Sequence, residues 1–203
     1  MKIICIGLNY KSHIEELNKT VPQSPIFFLK PESALTQRNR PFYYPDFSTN
    51  IHYETELVVR INKLGKHIQK KFAHTYYDEI GLGIDFTARD IQAEVFRHAL
   101  PWEIAKAFDG SAVINRFIPK TEFACLGNIN FSLLKNKQLV QTGNTSEMIF
   151  SIDEIIEYVS KYITLKIGDL IFTGTPCGIG RVEIGDVLEG YIEQELMFKC
   201  RIK

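Results

Sequence analysis

Apolar residues in this chain come mostly in short runs with the length and composition of β-strands. The first covers residues 3–6, and the second is the Phe-Phe-Leu centre of residues 25–31, closed by a proline at each end. Proline cannot donate into a ladder, so the pair brackets a strand. Further runs fall at 52–61, 129–134, 170–173, 187–192 and 196–202, and a glycine-rich stretch from Gly81 reads as a strand ending at Asp85. Helical spacing is rarer. It is clearest at about 152–162, where Ile152, Ile155, Ile156 and Val159 recur at three- and four-residue steps behind a Ser151–Glu154 capping box. A second helix is expected at about 88–98, with Thr87 as its cap and Ile91 and Val95 as its apolar stripe. A short third follows Ser12, with Glu15 three residues on. Two Ile-Gly-Asp segments, 167–169 and 184–186, have hairpin or corner chemistry. The pattern predicts a strand-rich α+β fold in one domain spanning 1–203. Strands and helices do not alternate regularly, so a doubly wound sheet is not expected.

Composition narrows the partners. With 24 Lys+Arg against 24 Asp+Glu the formal net charge is zero, which excludes the basic excess of a nucleic-acid surface. Aromatics make up 12% of the chain, too many for a disordered, charge-solvated sequence. Cys5, Cys125, Cys177 and Cys200 lie far apart with no zinc spacing, and read as free thiols of a reducing compartment. No window nears the ~18 apolar residues of a membrane span, and the first residues read as a buried strand rather than a signal peptide. The expectation is a soluble cytoplasmic protein.

What the balance hides is where carboxylates gather. In His52-Tyr-Glu54-Thr-Glu56, residues two apart point the same way on a strand, so His52, Glu54 and Glu56 would share a face. Two carboxylates so placed repel unless water or a cation offsets them. One reading is a solvated outer strand; the other is a hard divalent cation held by both. Asp85, at a strand end before a helix, is either a cap or a third ligand. Arg89 and Asp90 could form a surface ion pair.

Other stretches leave similar alternatives. His13 and Glu16, three apart, would lie on one side of a helix, as a general base with its orienting carboxylate or as ordinary surface charges. Residues 174–180, Gly-Thr-Pro-Cys-Gly-Ile-Gly, form a loop that admits close approach of an anion or simply turns tightly; no phosphate-loop Gly-Lys-Ser/Thr follows. Lys30 and Lys106 sit among apolar residues, where a lysine either snorkels outward or faces an anion.

Taken in order, these fragments resemble the fumarylacetoacetate hydrolase family. The matching motifs are Gly-Leu-Asn9-Tyr10 with His13 and Glu16, Phe-Phe-Leu-Lys30-Pro31, Glu54-Thr-Glu56-Leu, Asp85-Phe-Thr-Ala-Arg89-Asp90-Ile-Gln92, Trp102 through Lys106, and Gly174-Thr175-Pro176 through Gly180. Residues 143–151 also fit, and the short branch of acylpyruvases and oxaloacetate decarboxylases is the nearest in pattern. The resemblance implies layered mixed β-sheets wrapped into a compact roll with peripheral helices, and a homodimer. It implies Mg²⁺ or Mn²⁺, with Ca²⁺ able to take the same site, on Glu54, Glu56 and Asp85. His13 and Glu16 would be the water-activating dyad on a lid, and Lys106 would face developing negative charge. Gln92 and Thr175 would hold substrate oxygens, with Lys30 and Arg89 in support.

The implied substrate is a small 2-oxo acid. Hydrolysis of an acylpyruvate would proceed by attack of activated water on the distal carbonyl and departure of a metal-bound pyruvate enolate. Loss of CO₂ from oxaloacetate reaches the same enolate without attacking water. The alternatives are a hydroxyheptadienedioate-type isomerase/decarboxylase and a catalytically silent oxo-acid binder; retention of all three carboxylates with the dyad weighs against the latter. Two departures stand out. No domain precedes the motifs as in the larger fumarylacetoacetases, an expectation against that activity. Ala-Phe-Asp-Gly-Ser-Ala follows Lys106 where many longer relatives have Gly-Pro. Cys177, beside the substrate loop, is either an oxidisable thiol or a filler.

Overall fold

The apolar runs pair into sheets; the structure, a computed structural model, describes residues 1–36 and 40–203. The main sheet has seven strands: β1 (Ile3–Gly7), β2 (Ile26–Lys30), β3 (Leu35–Thr36), β5 (Thr55–Ile61), β6 (Tyr77–Asp85), β8 (Ala112–Pro119) and β11 (Leu170–Phe172). Their spatial order is β2-β1-β11-β5-β6-β8-β3. β1 runs parallel to β11 and β3 to β8, and the other neighbours are antiparallel. A four-stranded antiparallel sheet, β10 (Gln138–Asn144), β9 (Asn130–Lys135), β13 (Val187–Ile192) and β14 (Glu195–Arg201), packs beside it. A small third sheet joins β12 (Gly180–Arg181), β4 (Ile51–Tyr53) and β7 (Thr87–Ala88).

The main sheet is apolar on both faces, which is why its strands read as continuous runs. Along β5, Leu57, Val59 and Ile61 enter the larger core, while Val58 points into a second cluster with Ile3, Cys5, Leu170 and Phe172. β1 splits the same way, Ile4 and Ile6 to one side and Ile3 and Cys5 to the other. Each such buried aliphatic side chain contributes about 1.5–3 kcal/mol, and together they hold the central strand ends that carry the site.

Helices are peripheral: α1 (Lys11–Glu16), α2 (Lys70–Ala73), α3 (Arg89–Arg97), α4 (Glu103–Lys106) and α5 (Ile152–Tyr162). α5 forms as its pattern predicts, with Ile152, Ile155, Ile156 and Val159 buried and both halves of the Ser151–Glu154 box made. The strand-rich α+β expectation holds, and both Ile-Gly-Asp segments turn.

Local expectations fail at four places. The run 52–61 is two strands in different sheets, broken at Glu54. Ser12 does not cap α1: the helix already starts at Lys11 from Tyr10, without a side-chain cap bond. Thr87 does not cap α3 either; Ala88 is the N-cap, and the Thr87 hydroxyl is spent on Glu54. β10, α2 and α4 carry too few apolar residues in sequence to mark them, and they form because the sheets and core around them supply partners. β8 is apolar enough to read as a strand and is not among those expected.

Candidate active site

The break at Glu54 builds the site. Chain direction changes there between β4 and β5, and the Asp85 N–H at the end of β6 donates to the Glu54 carbonyl at 2.8 Å. That backbone bond seats the Asp85 carboxylate against the two glutamates. Carboxylate oxygens of Glu54, Glu56 and Asp85 all lie within 4.8 Å of one another. The three residues are 6%, 2% and 1% exposed, so the solvated-strand reading fails and Asp85 is no helix cap.

Three cations converge on this cluster. Lys106 Nζ donates to Glu54 Oε2 and Asp85 Oδ2, each at 2.9 Å. Arg89 donates to Glu54 Oε1 and, at 2.6 Å, to Gln92 Oε1, and the Thr87 hydroxyl reaches Glu54 Oε1 at 2.8 Å. Arg89 and Asp90 therefore form no surface pair; Asp90 instead accepts from Ser48 and Thr49. Lys30 Nζ lies 2.8 Å from Asp85 Oδ1, in ion-pair contact outside hydrogen-bonding geometry. Its hydrogens go to Ser111 Oγ at 2.9 Å and to the carbonyls of Lys106, Ser111 and Phe86. Neither lysine snorkels: both are buried.

Electrostatics separates the carboxylates. Burial alone would raise Glu54, but the charges of Lys106 and Arg89 outweigh it and hold its carboxyl well below the usual range. Glu56 is pushed well up, by burial first and then by Asp85 and Glu54, against the backbone hydrogen bond from Gly174 and the charge of Lys106. Burial would lower Lys106, yet Asp85 and Glu54 carry it above an ordinary lysine. The donor set fits a hard divalent cation: three carboxylates, one of them poorly compensated, with the Lys106 ammonium standing in between the other two.

His13 and Glu16 enter from α1. Leu8, at φ 55°, turns the chain sharply out of β1, and Asn9 pins the turn by donating to the Thr173 and Phe150 carbonyls at 2.8 and 3.1 Å. His13 Nδ1 then sits 3.0 Å from Glu16 Oε2, and Glu16 Oε1 accepts from the Gly178 N–H at 3.0 Å. The loop 174–180 thus touches both ends of the site, since the Gly174 N–H donates to Glu56 Oε2 at 2.7 Å. Gly174 has φ +101°, and a Cβ there would lie 2.8 Å from that of Asn9.

One cavity of about 110 Å³ gathers His13, Glu54, Glu56, Asp85, Arg89, Gln92, Lys106 and Thr175. Phe28, Phe96 and Trp102 form its apolar wall, with Phe28 5.8 Å and Phe96 5.1 Å from Trp102 between ring centroids. Lys30 and Glu16 are not in the lining; they stand behind Asp85 and His13. Thr87 and Gln141 had no sequence signal. Thr87 has the position of a helix cap in sequence, and Gln141 is aimed at the loop by an irregularity in β10 that a side-chain pattern does not reveal.

Comparison with known proteins agrees with this geometry. The fumarylacetoacetate (FAA) hydrolase C-terminal family model matches residues 2–202. The chain is 40% identical over 201 residues to a mitochondrial oxaloacetate tautomerase of Mus musculus, covering 99% of this chain and 91% of that one. It is 41% identical over 189 residues to a mitochondrial oxaloacetate decarboxylase of Dictyostelium discoideum, covering 93% and 87%. Among solved structures, fumarylpyruvate hydrolase from Pseudomonas aeruginosa in complex with Mn²⁺ and pyruvate superposes with a TM-score of 0.94 at 33% identity, covering 100% and 89%.

Proposed function

The chain belongs to the fumarylacetoacetate hydrolase family, and we propose that it is a divalent-metal-dependent enzyme acting on short 2-oxo acids of the acylpyruvate and oxaloacetate type. The observation that carries this reading is the buried Glu54–Glu56–Asp85 cluster sharing one small cavity with a His13–Glu16 pair. Those three carboxylates would hold Mg²⁺ or Mn²⁺; the relative solved with Mn²⁺ and pyruvate supports the class of ion and of ligand. The bound cation would supply Lewis-acid polarisation of the 2-oxo group.

The remaining chemistry belongs to this chain's side chains. Glu16 accepts the Nδ1 hydrogen of His13, which leaves Nε2 as the basic nitrogen and offsets the charge it gains with a proton. That proton comes from water when a C–C bond is hydrolysed, or from C3 of the oxo acid when it tautomerises. Decarboxylation needs neither. Lys106 offers its ammonium to negative charge developing on a substrate oxygen, helped by the aromatic face of Phe28 5.2 Å away, which keeps water off that side. Gln92, its carbonyl oxygen already taken by Arg89, presents N–H donors to the substrate carboxylate, with Thr175 opposite.

The relatives named as oxaloacetate tautomerase and oxaloacetate decarboxylase favour the oxaloacetate side of this class. The reading includes one catalytic domain over 1–203, a soluble homodimer, and a reducing, cytoplasmic setting that suits four unpaired cysteines. Among the described residues no helix is long and apolar enough to cross a membrane. The test is turnover of oxaloacetate, acetylpyruvate and fumarylpyruvate with Mg²⁺ or Mn²⁺, with and without chelator. Metal-dependent turnover of oxaloacetate is expected. Undiminished turnover in excess chelator overturns the metal assignment, and inertness toward all three leaves the silent oxo-acid binder.

A further inference from the structure

Residues two apart on a strand share a face, yet in β10 Leu139 is 63% exposed and Gln141 is 2% exposed. The inversion comes from a register shift against β9 between Leu139 and Gln141, which leaves Val140 as an extra residue. The bulge turns an apolar side chain out to solvent and a polar one into the protein. Burying an amide is unfavourable unless its hydrogen bonds are made, and those of Gln141 are made at the active site.

Its Oε1 accepts the N–H of Thr55, the residue between Glu54 and Glu56, at 3.0 Å. Its Nε2 donates to Thr175 Oγ1 at 3.0 Å, to the Pro176 carbonyl at 3.1 Å and, more weakly, to the Cys177 carbonyl at 3.5 Å. A backbone N–H needs an acceptor and a carbonyl needs a donor, so the amide can face only one way. The loop is fitted to the bulge: Gly178 has φ +93°, and a Cβ there would stand 2.5 Å from the Val140 carbonyl oxygen.

The fixed amide has a chemical consequence at Thr175. A hydroxyl has one hydrogen to give. Because Gln141 donates to Thr175 Oγ1, that hydrogen is not used on Gln141, and no acceptor among the described residues takes it. Thr175 lines the cavity. We propose that Gln141 is a positioning residue that fixes Thr175 as a hydrogen-bond donor to an oxygen of the bound oxo acid, while tying the loop to the strand that carries Glu54 and Glu56. The proposal rests on the oxo-acid reading of the cavity.

A double-mutant cycle on pyruvate affinity tests it, using the Mn²⁺-loaded full chain. The single tryptophan, Trp102, lies in the cavity wall, so its fluorescence reports binding independently of turnover. Thr175→Val removes the hydroxyl, and Gln141→Glu replaces the donor with an acceptor that competes for the Thr175 hydrogen. Each is expected to weaken pyruvate about tenfold, with the double variant also about tenfold weaker rather than about a hundredfold, and Mn²⁺ affinity changed by less than about twofold. Multiplying losses, an unchanged Kd in Gln141→Glu, or a parallel loss of Mn²⁺ affinity overturns the role of Gln141. Should Gln141→Glu fail to fold, Gln141→Met takes its place in the cycle with the same outcomes. If the wild type binds no pyruvate, the oxo-acid reading falls and takes this proposal with it; binding with additive losses removes this proposal alone.

Discussion

At the scale of single residues, two buried or nearly buried side chains near the cluster do different work. As the proposed base, His13 would act only where a proton must be taken, so His13→Ala should cost acylpyruvate hydrolysis about 10²–10⁴-fold and oxaloacetate decarboxylation less than about tenfold. Parallel kcat measurements decide this, and equal losses would mean the dyad also serves to close α1 over the cavity. Lys30 is fully buried, and its ammonium compensates Asp85 and three carbonyls. Lys30→Met strips that compensation from a buried carboxylate and should cost about 3–5 kcal/mol, read by denaturant unfolding. A cost near zero would show that Asp85 finds another partner. Lys30 and Lys106 illustrate what a sequence holds back. Both sit in apolar surroundings along the chain, and only the fold shows that one reaches the cavity while the other is enclosed behind it. Residue types with chemistry were visible in Glu54, Glu56, Asp85 and His13; Thr87 and Gln141 were not, because their partners are distant in sequence and the bulge that aims Gln141 leaves no mark in the pattern.

Among elements, legibility followed how much of the structural cause is local. α5 was readable because its apolar stripe and its cap lie within eleven residues. The split of 52–61 was not, because β4 and β5 separate only on account of β7, β12 and β6 pairing beside them. The same locality makes α5 the clean place for a stability test. Ser151→Ala removes the hydroxyl that accepts from the Glu154 N–H and should cost about 1 kcal/mol. Glu154 is held down to about 2, by Lys70 first and then by the Ser151 N–H and hydroxyl. A carboxyl depressed in the folded state adds stability above its unfolded value near ~4.3, and that stability is lost as pH falls toward its folded value. The difference in stability between the wild type and Glu154→Gln should therefore shrink between about pH 5 and pH 2. Glu154 is partly in water, so the whole effect should stay under about 1 kcal/mol and weaken with salt. Thermal melts across that pH range, at low and high salt, would show a constant difference if the pairing contributed nothing.

For the whole molecule, the balance of 24 cationic and 24 anionic side chains conceals a local arrangement. Three carboxylates and two lysines, Lys30 and Lys106, are buried together, with the partly buried Arg89, at the meeting of the main sheet and the small third sheet. Glu54 lies at the break between β4 and β5, Asp85 ends β6, and Glu56 holds the loop after β11 through Gly174. A cation bound by the three carboxylates would therefore join segments that come apart only when the sheets do. Its binding energy should appear as stability of the entire fold rather than of one loop. At a free concentration about 100 times its Kd, the gain is about 2.7 kcal/mol, which for a chain of this size is a rise in Tm of roughly 5–10 °C. Calorimetric scans with Mg²⁺ or Mn²⁺ against excess chelator should show that rise in the wild type. Glu54→Gln should abolish most of it, because it removes one of the three proposed charged ligands and leaves the ammonium of Lys106 less opposed. A rise of equal size in Glu54→Gln would place the ion elsewhere, and no rise in the wild type would mean that Lys106 already satisfies the cluster and outcompetes the ion.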